Sequence, residues 1–295
     1  MKQDQLEKES IVINIIFVLL SLACIIPLWL VISISISSEK DIMTFGYMFF
    51  PKNIDFSAYK FIFRDATILI NSYTTTIFVA FFGTALSVLI MILVAYPLSR
   101  SSFAFRKPIT FYLFFTMLFN GGLVPTYMLI TQYLHLSDTI WVHILPTLVS
   151  PWHIILLRTF FQRNSNEIIE SAKIDGAGEF RILFQMIVPI SKPVIATVAL
   201  FGLLLRWNWW MSSLLYINHK NNLVMLQYLL QKMMSDIRMI TENMNNLPSN
   251  FNVSDLPSES ARMAMAVLAA GPMLCVFPFF QKYFTKGLTV GAVKG

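Results

Sequence analysis

Charge is what this sequence has least of. Only 13% of its 295 residues are Asp, Glu, Lys or Arg, where a soluble domain carries about 25%. A chain so poor in charge and 56% hydrophobic excludes a water-soluble fold and implies an integral membrane protein. Cysteine is nearly absent: Cys24 and Cys275 both fall in apolar runs, where neither a disulfide framework nor a metal set is legible. Three chemical devices are missing outright. There is no Gly-x-x-x-x-Gly-Lys-Ser/Thr loop to cradle phosphates, no His-Glu-x-x-His pair for zinc, and no Gly-x-Ser-x-Gly turn to present a nucleophile. His143 and His153 lie ten residues apart rather than one helical turn, which argues against a metal pair. The net charge of +6 is not a nucleic-acid signal in such a chain, because Lys and Arg gather on one side of a membrane.

Long apolar runs with few or no charges are abundant instead. A crossing helix needs about 20 apolar residues, and windows at about 11–36, 68–98, 109–130, 139–160, 194–217 and 261–281 supply them. The pattern predicts an all-α chain with six transmembrane helices in one membrane domain over 1–295, with Pro27 as a kink in the first. That first run is too long for a signal-peptide core of about 7–15 residues, so it reads as a retained span. Basic residues set the orientation. The short loop Ser99–Pro108 carries Arg100, Arg106 and Lys107 with no acid, and Arg163, Lys173 and Arg181 lie in the segment 161–190, with Arg158 and Lys192 beside it. Lys282, Lys286 and Lys294 fall in the tail 282–295, while Thr131–Ser137 on the opposite side has no Lys or Arg. Both termini are therefore expected in the cytoplasm with 161–190, and the segment 218–260 outside.

One stretch breaks the apolar monotony. From Arg163 to Pro189, charges of both signs crowd into a helical pattern. Asn164 or Ser165 is placed to cap a first helix, with Glu167 in its first turn. Asp175-Gly176 reads as a tight turn, since Gly accepts positive φ, and Asp175 as the cap of a second short helix that Pro189 stops. Two short amphipathic helices between apolar spans have the form of a docking surface. Glu170, Ala172, Gly176 and, thirteen residues on, Pro189 resemble the EAA loop of binding-protein-dependent ABC importer permeases. Ser171, Met186 and Val188 depart from the usual pattern by small or apolar exchanges.

The resemblance covers nearly the whole chain. Asn120-Gly-Gly-Leu-Val-Pro125-Thr-Tyr, Asp138-Thr-Ile-Trp141, Leu145-Pro146 and Pro278-Phe-Phe-Gln-Lys-Tyr283-Phe-Thr-Lys-Gly287 are similar to the carbohydrate-uptake branch, in particular the maltose-permease-like subunits of complex-oligosaccharide importers. It implies a type I ABC importer permease fold of the shorter, six-span kind, in a bacterial plasma membrane. It also implies a second homologous permease, two ATPase subunits that bind ATP and Mg, and a lipid-anchored extracellular sugar-binding protein. No cofactor is expected in this chain itself. Glu170, Ala172, Asp175, Gly176 and Pro189 would then form the cytoplasmic coupling helix, and the tail would reach the ATPase interface.

Two outside segments and one span complete the reading. Asp55 or Ser57 is placed to start a short helix ending near Arg64, and Leu226, Leu229, Leu230 and Met233 recur at helical spacing within Leu223–Met239. Asn243–Ser258 is rich in Asn, Ser and Pro and reads as a loop. Asn71, Ser72, Tyr73 and Thr74–Thr76 read as hydrogen bonders between packed helices. In the fifth span stands Arg206-Trp207-Asn208-Trp209-Trp210, followed by Ser212, Ser213 and Tyr216. A charge near the bilayer centre costs about 2.5–3.5 kcal/mol, so Arg206 should face protein or water. On one reading Arg206, Trp207, Asn208, Trp210 and Ser213 line a sugar pathway, the rings packing on C–H faces and the donors binding hydroxyls. On the other, the Trp residues are an interfacial belt and Arg206 pairs with the partner subunit. An ion-coupled secondary transporter is the rival function. It requires mid-membrane carboxylates that no span supplies.

Overall fold

The computed structural model describes the backbone of residues 2–163, 166–218, 221–242 and 258–292. The capping residues Asn164 and Ser165, the Glu167 side chain and the loop 243–257 lie outside the described residues. In chain order the α-helices are α1 (Lys2–Ser35), α2 (Glu39–Phe45), α3 (Ser57–Ile62), α4 (Ala66–Ser99), α5 (Arg106–Leu118), α6 (Leu123–Met128), α7 (Trp141–Ile144) and α8 (Pro151–Gln162). There follow α9 (Asn166–Ile174), α10 (Glu179–Ile182), α11 (Val188–Ile190), α12 (Lys192–Trp207), α13 (Met211–Tyr216), α14 (Leu226–Glu242) and α15 (Ser258–Ala292). Among the described residues the sole β pairing is an isolated bridge between Ser37 and Ile54.

Val12–Ser35, Ser57–Ser99 and Ser258–Tyr283 are each long and apolar enough to cross a membrane. Three further apolar stretches are bent: Arg106–Leu118 with Leu123–Tyr133 by 113°, Trp141–Thr147 with Pro151–Gln162 by 52°, and Glu179–Ile190 with Lys192–Trp207 by 83°. Counting each bent pair as one crossing gives up to six. The bends have local causes. After α5, Asn120 Oδ1 accepts the Gly122 N–H at 2.9 Å and turns the chain. Before α8, Ser150 is driven to φ −115°, ψ 113° because the residue ahead of a proline is pushed out of the α region. Before α12, Ser191 leaves helical geometry at φ −92°, ψ 9°, two residues ahead of Pro193. The apolar windows 109–130 and 139–160 hid these breaks, because hydropathy registers composition and not backbone direction.

The chain divides into two compact units, Met1–Ala66 with Leu230–Pro272 and Thr67–Leu229 with Met273–Gly295. In the first, the chain after α1 folds back, with Ser38 N–H on Asn53 O at 3.3 Å and Asp55 N–H on Ile36 O at 2.9 Å. Asp55 then accepts from the Ser57 N–H (2.9 Å) and Oγ (3.0 Å), which starts α3 at Ser57 as the sequence suggests. Glu39, in the first turn of α2, is buried at 6% exposure. Its carboxylate accepts from Ser258 Oγ, the Glu259 N–H, and Ser260 N–H and Oγ, at 2.8–3.0 Å. A carboxylate from elsewhere in the chain thus caps α15. α15 itself runs on to Ala292, so most of the 282–295 tail is a helical continuation.

The second unit holds the main core. Met91, Ile92, Ala95 and Leu98 of α4 cluster with Ile154, Leu157 and Phe161 of α8, Ile169 and Ala172 of α9, Ile182 and Val198. The start of α14 is embedded here too. Leu226 N–H donates to Thr76 Oγ1 at 2.8 Å, and Thr75 Oγ1 donates to Asn222 O at 3.0 Å. Those threonines join segments, as the polar run on α4 predicts.

Candidate functional site

α9 and α10 form a helical turn with two unlike faces. Inward, Ile169, Ala172 and Ile182 are buried in the core cluster that contains Tyr96. Outward, Glu170, Ser171, Lys173, Asp175 and Gly176 are exposed, together with the apolar tips Ile174 (87%) and Phe180 (73%). α9 closes on Gly176 at φ +82°. The Gly176 N–H donates to Lys173 O at 3.0 Å and the Ala177 N–H to Ala172 O at 2.9 Å, the bond pair of a Schellman closure. Glycine stands where the left-handed residue must be, with no atom within 4 Å of a would-be Cβ. A cavity of about 480 Å³ lined by Ser171, Asp175, Arg181 and Gln185 flanks the turn.

Two details differ from the sequence reading. α10 begins at Glu179 with Gly178 as its N-cap, so Asp175 stands upstream, exposed in the turn, and does not cap it. Schellman closure uses the residues just past α9 and displaces the next helix start. Nor does Pro189 end the helix, which stays helical to Ile190. A π turn over Leu183–Ile187, just ahead of the proline, sends the Val188 N–H five residues back to Leu183 O.

Glu179 ties the turn to α4. Its carboxylate meets Lys173 Nζ at 2.6 Å and accepts from Tyr96 Oη at 2.6 Å. The Lys173 ammonium, and after it the Tyr96 hydroxyl, hold the Glu179 carboxyl below its ordinary range. The Arg100 guanidinium lies over the Tyr96 ring, 4.9 Å from its centroid. Sequence reasoning missed Tyr96, which carries no local signal, and passed over Glu179, which lies within the charged stretch.

The Arg206 cluster is not one helical face. α12 ends at Trp207 and α13 begins at Met211, and Asn208 Nδ2 donates to Leu204 O at 2.9 Å where the helix stops. Arg206 is 1% exposed, donating to Thr147 O at 2.6 Å and to Gly202 O of its own helix at 3.1 Å. Gly83 makes room for it: a Cβ there would sit 2.9 Å from Nε and 3.1 Å from Cδ. Trp207 and Ser213 are buried as well, and Ser213 Oγ accepts the Met225 N–H at 2.9 Å. Asn208 is exposed and Trp210 half-buried. His143, discounted as a ligand, is a fully buried junction. Its Nδ1 lies 2.7 Å from Ser212 Oγ and its Nε2 2.9 Å from Leu223 O. Since a carbonyl only accepts, Nε2 carries the proton and Ser212 donates to Nδ1. No group of three or more His, Cys, Asp or Glu among the described residues could hold a metal ion.

Residues 72–290 match the family described as "Binding-protein-dependent transport system inner membrane component". The chain belongs to this family. It is accordingly the membrane component of an ABC importer and not its ATPase. It is 35% identical over 276 residues, covering 93% of this chain and 94% of the relative, to the polygalacturonan/rhamnogalacturonan transport system permease protein YtcP of Bacillus subtilis (strain 168). It is 28% identical over 295 residues, 99% of this chain and 98% of the relative, to the arabinooligosaccharides transport system permease protein AraQ of the same organism. Among solved structures it matches a chain in the crystal structure of a bacterial ABC transporter involved in the import of the acidic polysaccharide alginate. The TM-score is 0.77 at 30% identity, over 94% of this chain and 97% of that one. The permease fold of such importers is therefore this chain's fold, and the ion-coupled secondary transporter is set aside.

Proposed function

We propose that this permease carries an oligosaccharide across the bacterial plasma membrane, delivered outside by a lipid-anchored sugar-binding protein. A second, homologous permease completes the path, and two ATPase subunits bind ATP and Mg on the cytoplasmic side, where both termini lie. The observation that carries this reading is the α9–α10 turn. Its back is rooted in the core beside α4, and its front offers charges and two apolar tips to a partner. Glu170, Ala172, Asp175, Gly176 and Pro189 belong to this coupling element. Glu170 is the polar anchor in the ATPase cleft, Gly176 closes the turn, and Ala172 roots it. ATP binding would close the ATPase dimer, draw the paired turns together and open the path outward; hydrolysis would reset it.

The relatives named above are described as transporting polygalacturonan and rhamnogalacturonan, arabinooligosaccharides and alginate, which supports a carbohydrate cargo for this chain. Within the fifth-span cluster, Asn208 and Trp210 keep exposed surface, and we assign them to the pathway wall. Arg206, Trp207 and Ser213 form the frame behind them. The decisive experiment reconstitutes the complex with Glu170→Lys or Gly176→Val. Each should insert normally yet abolish transport-linked ATP turnover, and unchanged uptake by both would sink the coupling assignment.

A further inference from the structure

A second cavity, of about 740 Å³, lies against the first turns of α5 and the end of α8. Arg106, Lys107 and Arg158 line it, and no carboxylate does. Arg158 is braced by its Nε, which donates to Leu98 O at 3.1 Å. Its terminal nitrogens, like those of Arg106 and Lys107, have no anionic partner among the described residues. The helix does not compensate these charges. Arg106 and Lys107 open α5, where the helix dipole is itself positive and the N-cap Phe105 supplies no side-chain acceptor. Thr110 also lines the cavity, and its Oγ1 is buried without a partner. Every polar group that the cavity presents without a partner is therefore able to donate, and three carry positive charge.

The complementary ligand is an oxyanion with several acceptor oxygens, for which guanidinium forks and an ammonium are well matched. The surroundings say where it comes from. Apolar α4 ends at Ser99 and the apolar run of α5 starts at Ile109, so the cavity sits at a membrane boundary. Phe111 (72% exposed) and Phe114 (48% exposed) line it on the same helix as Lys107 and Thr110, at spacings that share one face. We propose that this cavity binds the phosphate headgroup of an anionic phospholipid, whose acyl chains lie over Phe111 and Phe114.

The test is native mass spectrometry of the detergent-purified full-length protein, titrated separately with dioleoylphosphatidylglycerol, dioleoylphosphatidylcholine and inorganic phosphate. Phosphatidylglycerol should be retained in preference to phosphatidylcholine. Arg106→Gln with Arg158→Gln should weaken it by about 25-fold, from about fivefold per cation near a headgroup surface. Lys107→Gln, on an exposed side chain, should cost about fivefold alone and decides the matter if the double variant fails to insert. Lys60→Gln, remote in the chain on α3, should change nothing. Equal retention of phosphatidylglycerol by wild type and the Lys107 variant overturns the proposal. So does displacement of the lipid by inorganic phosphate, which would assign the cavity to a soluble anion.

Discussion

At the scale of single residues, two charged side chains show how partners far apart in the chain hold a charge, one buried and one at the surface. Arg206 is held by the carbonyls of Thr147 and Gly202 and passes through the space that Gly83 leaves open. Gly83→Ala would push a methyl to 2.9 Å from Nε, in the middle of a side chain pinned at its far end. Overpacking of this kind costs about 1–3 kcal/mol. Thermal unfolding in detergent should show a lower Tm for Gly83→Ala, and an unchanged Tm would mean that Arg206 is free to move. Glu179 is the second case. Its carboxyl is depressed by Lys173 and Tyr96, so its contribution to stability is present above the ordinary Glu pKa and is lost as pH falls through the depressed value. Hydrogen exchange over Gly178–Ile182, corrected for intrinsic rates, should therefore accelerate as pH drops below about 4.3. Glu179→Gln should remove that step and leave exchange fast on both sides of it.

At the scale of elements, the helix ends carry the design. α9 ends on a glycine and α15 begins on a carboxylate borrowed from α2. Glu39→Ala would strand the donors of Ser258, Glu259 and Ser260 in a buried place, at a cost of about 3 kcal/mol. Deuterium uptake in the first turn of α15 should rise sharply, whereas Glu39→Gln, which keeps one carbonyl oxygen, should fall between. Wild-type protection in Glu39→Ala would show the cap to be dispensable. Helix existence was legible from apolar runs, and so was the α14 segment, read as Leu223–Met239 and found at Leu226–Glu242. Helix breaks were less so. Arg206 to Ser213 looked like one amphipathic face because periodicity assumes a continuing helix, but Asn208 turns its side chain onto Leu204 O and the helix stops.

At the scale of the molecule, much apolar surface lies outside. The most apolar stretch of Val12–Ser35, at mean hydropathy 3.0, is 0% buried, and Phe111, Leu118 and Phe279 are well exposed. Lipid covers such surface, and the second permease proposed above would cover part of it. Affinity purification of tagged protein from mild detergent should bring down a second permease of similar length and an ATPase subunit. Recovery of this chain alone under conditions that preserve other importers would count against its place in a four-subunit complex. The family expectation drawn from Glu170, Ala172, Gly176 and Pro189 extends over residues 72–290 in the family match, because motif spacing along a chain survives whatever the fold does with it.

Membrane residence, the helical class and the family were determined by the sequence alone. They rest on composition, run length and local spacing, each of which is readable along one dimension. The left-handed turn at Gly176 belongs with them, since its reason is local sterics. What only the tertiary structure decided are the meetings of residues far apart in the chain: Tyr96 with Glu179, Arg206 with Thr147 and Gly83, His143 with Ser212, Glu39 with Ser260. A buried polar group must find a partner wherever packing brings one, and packing is a property of the folded chain.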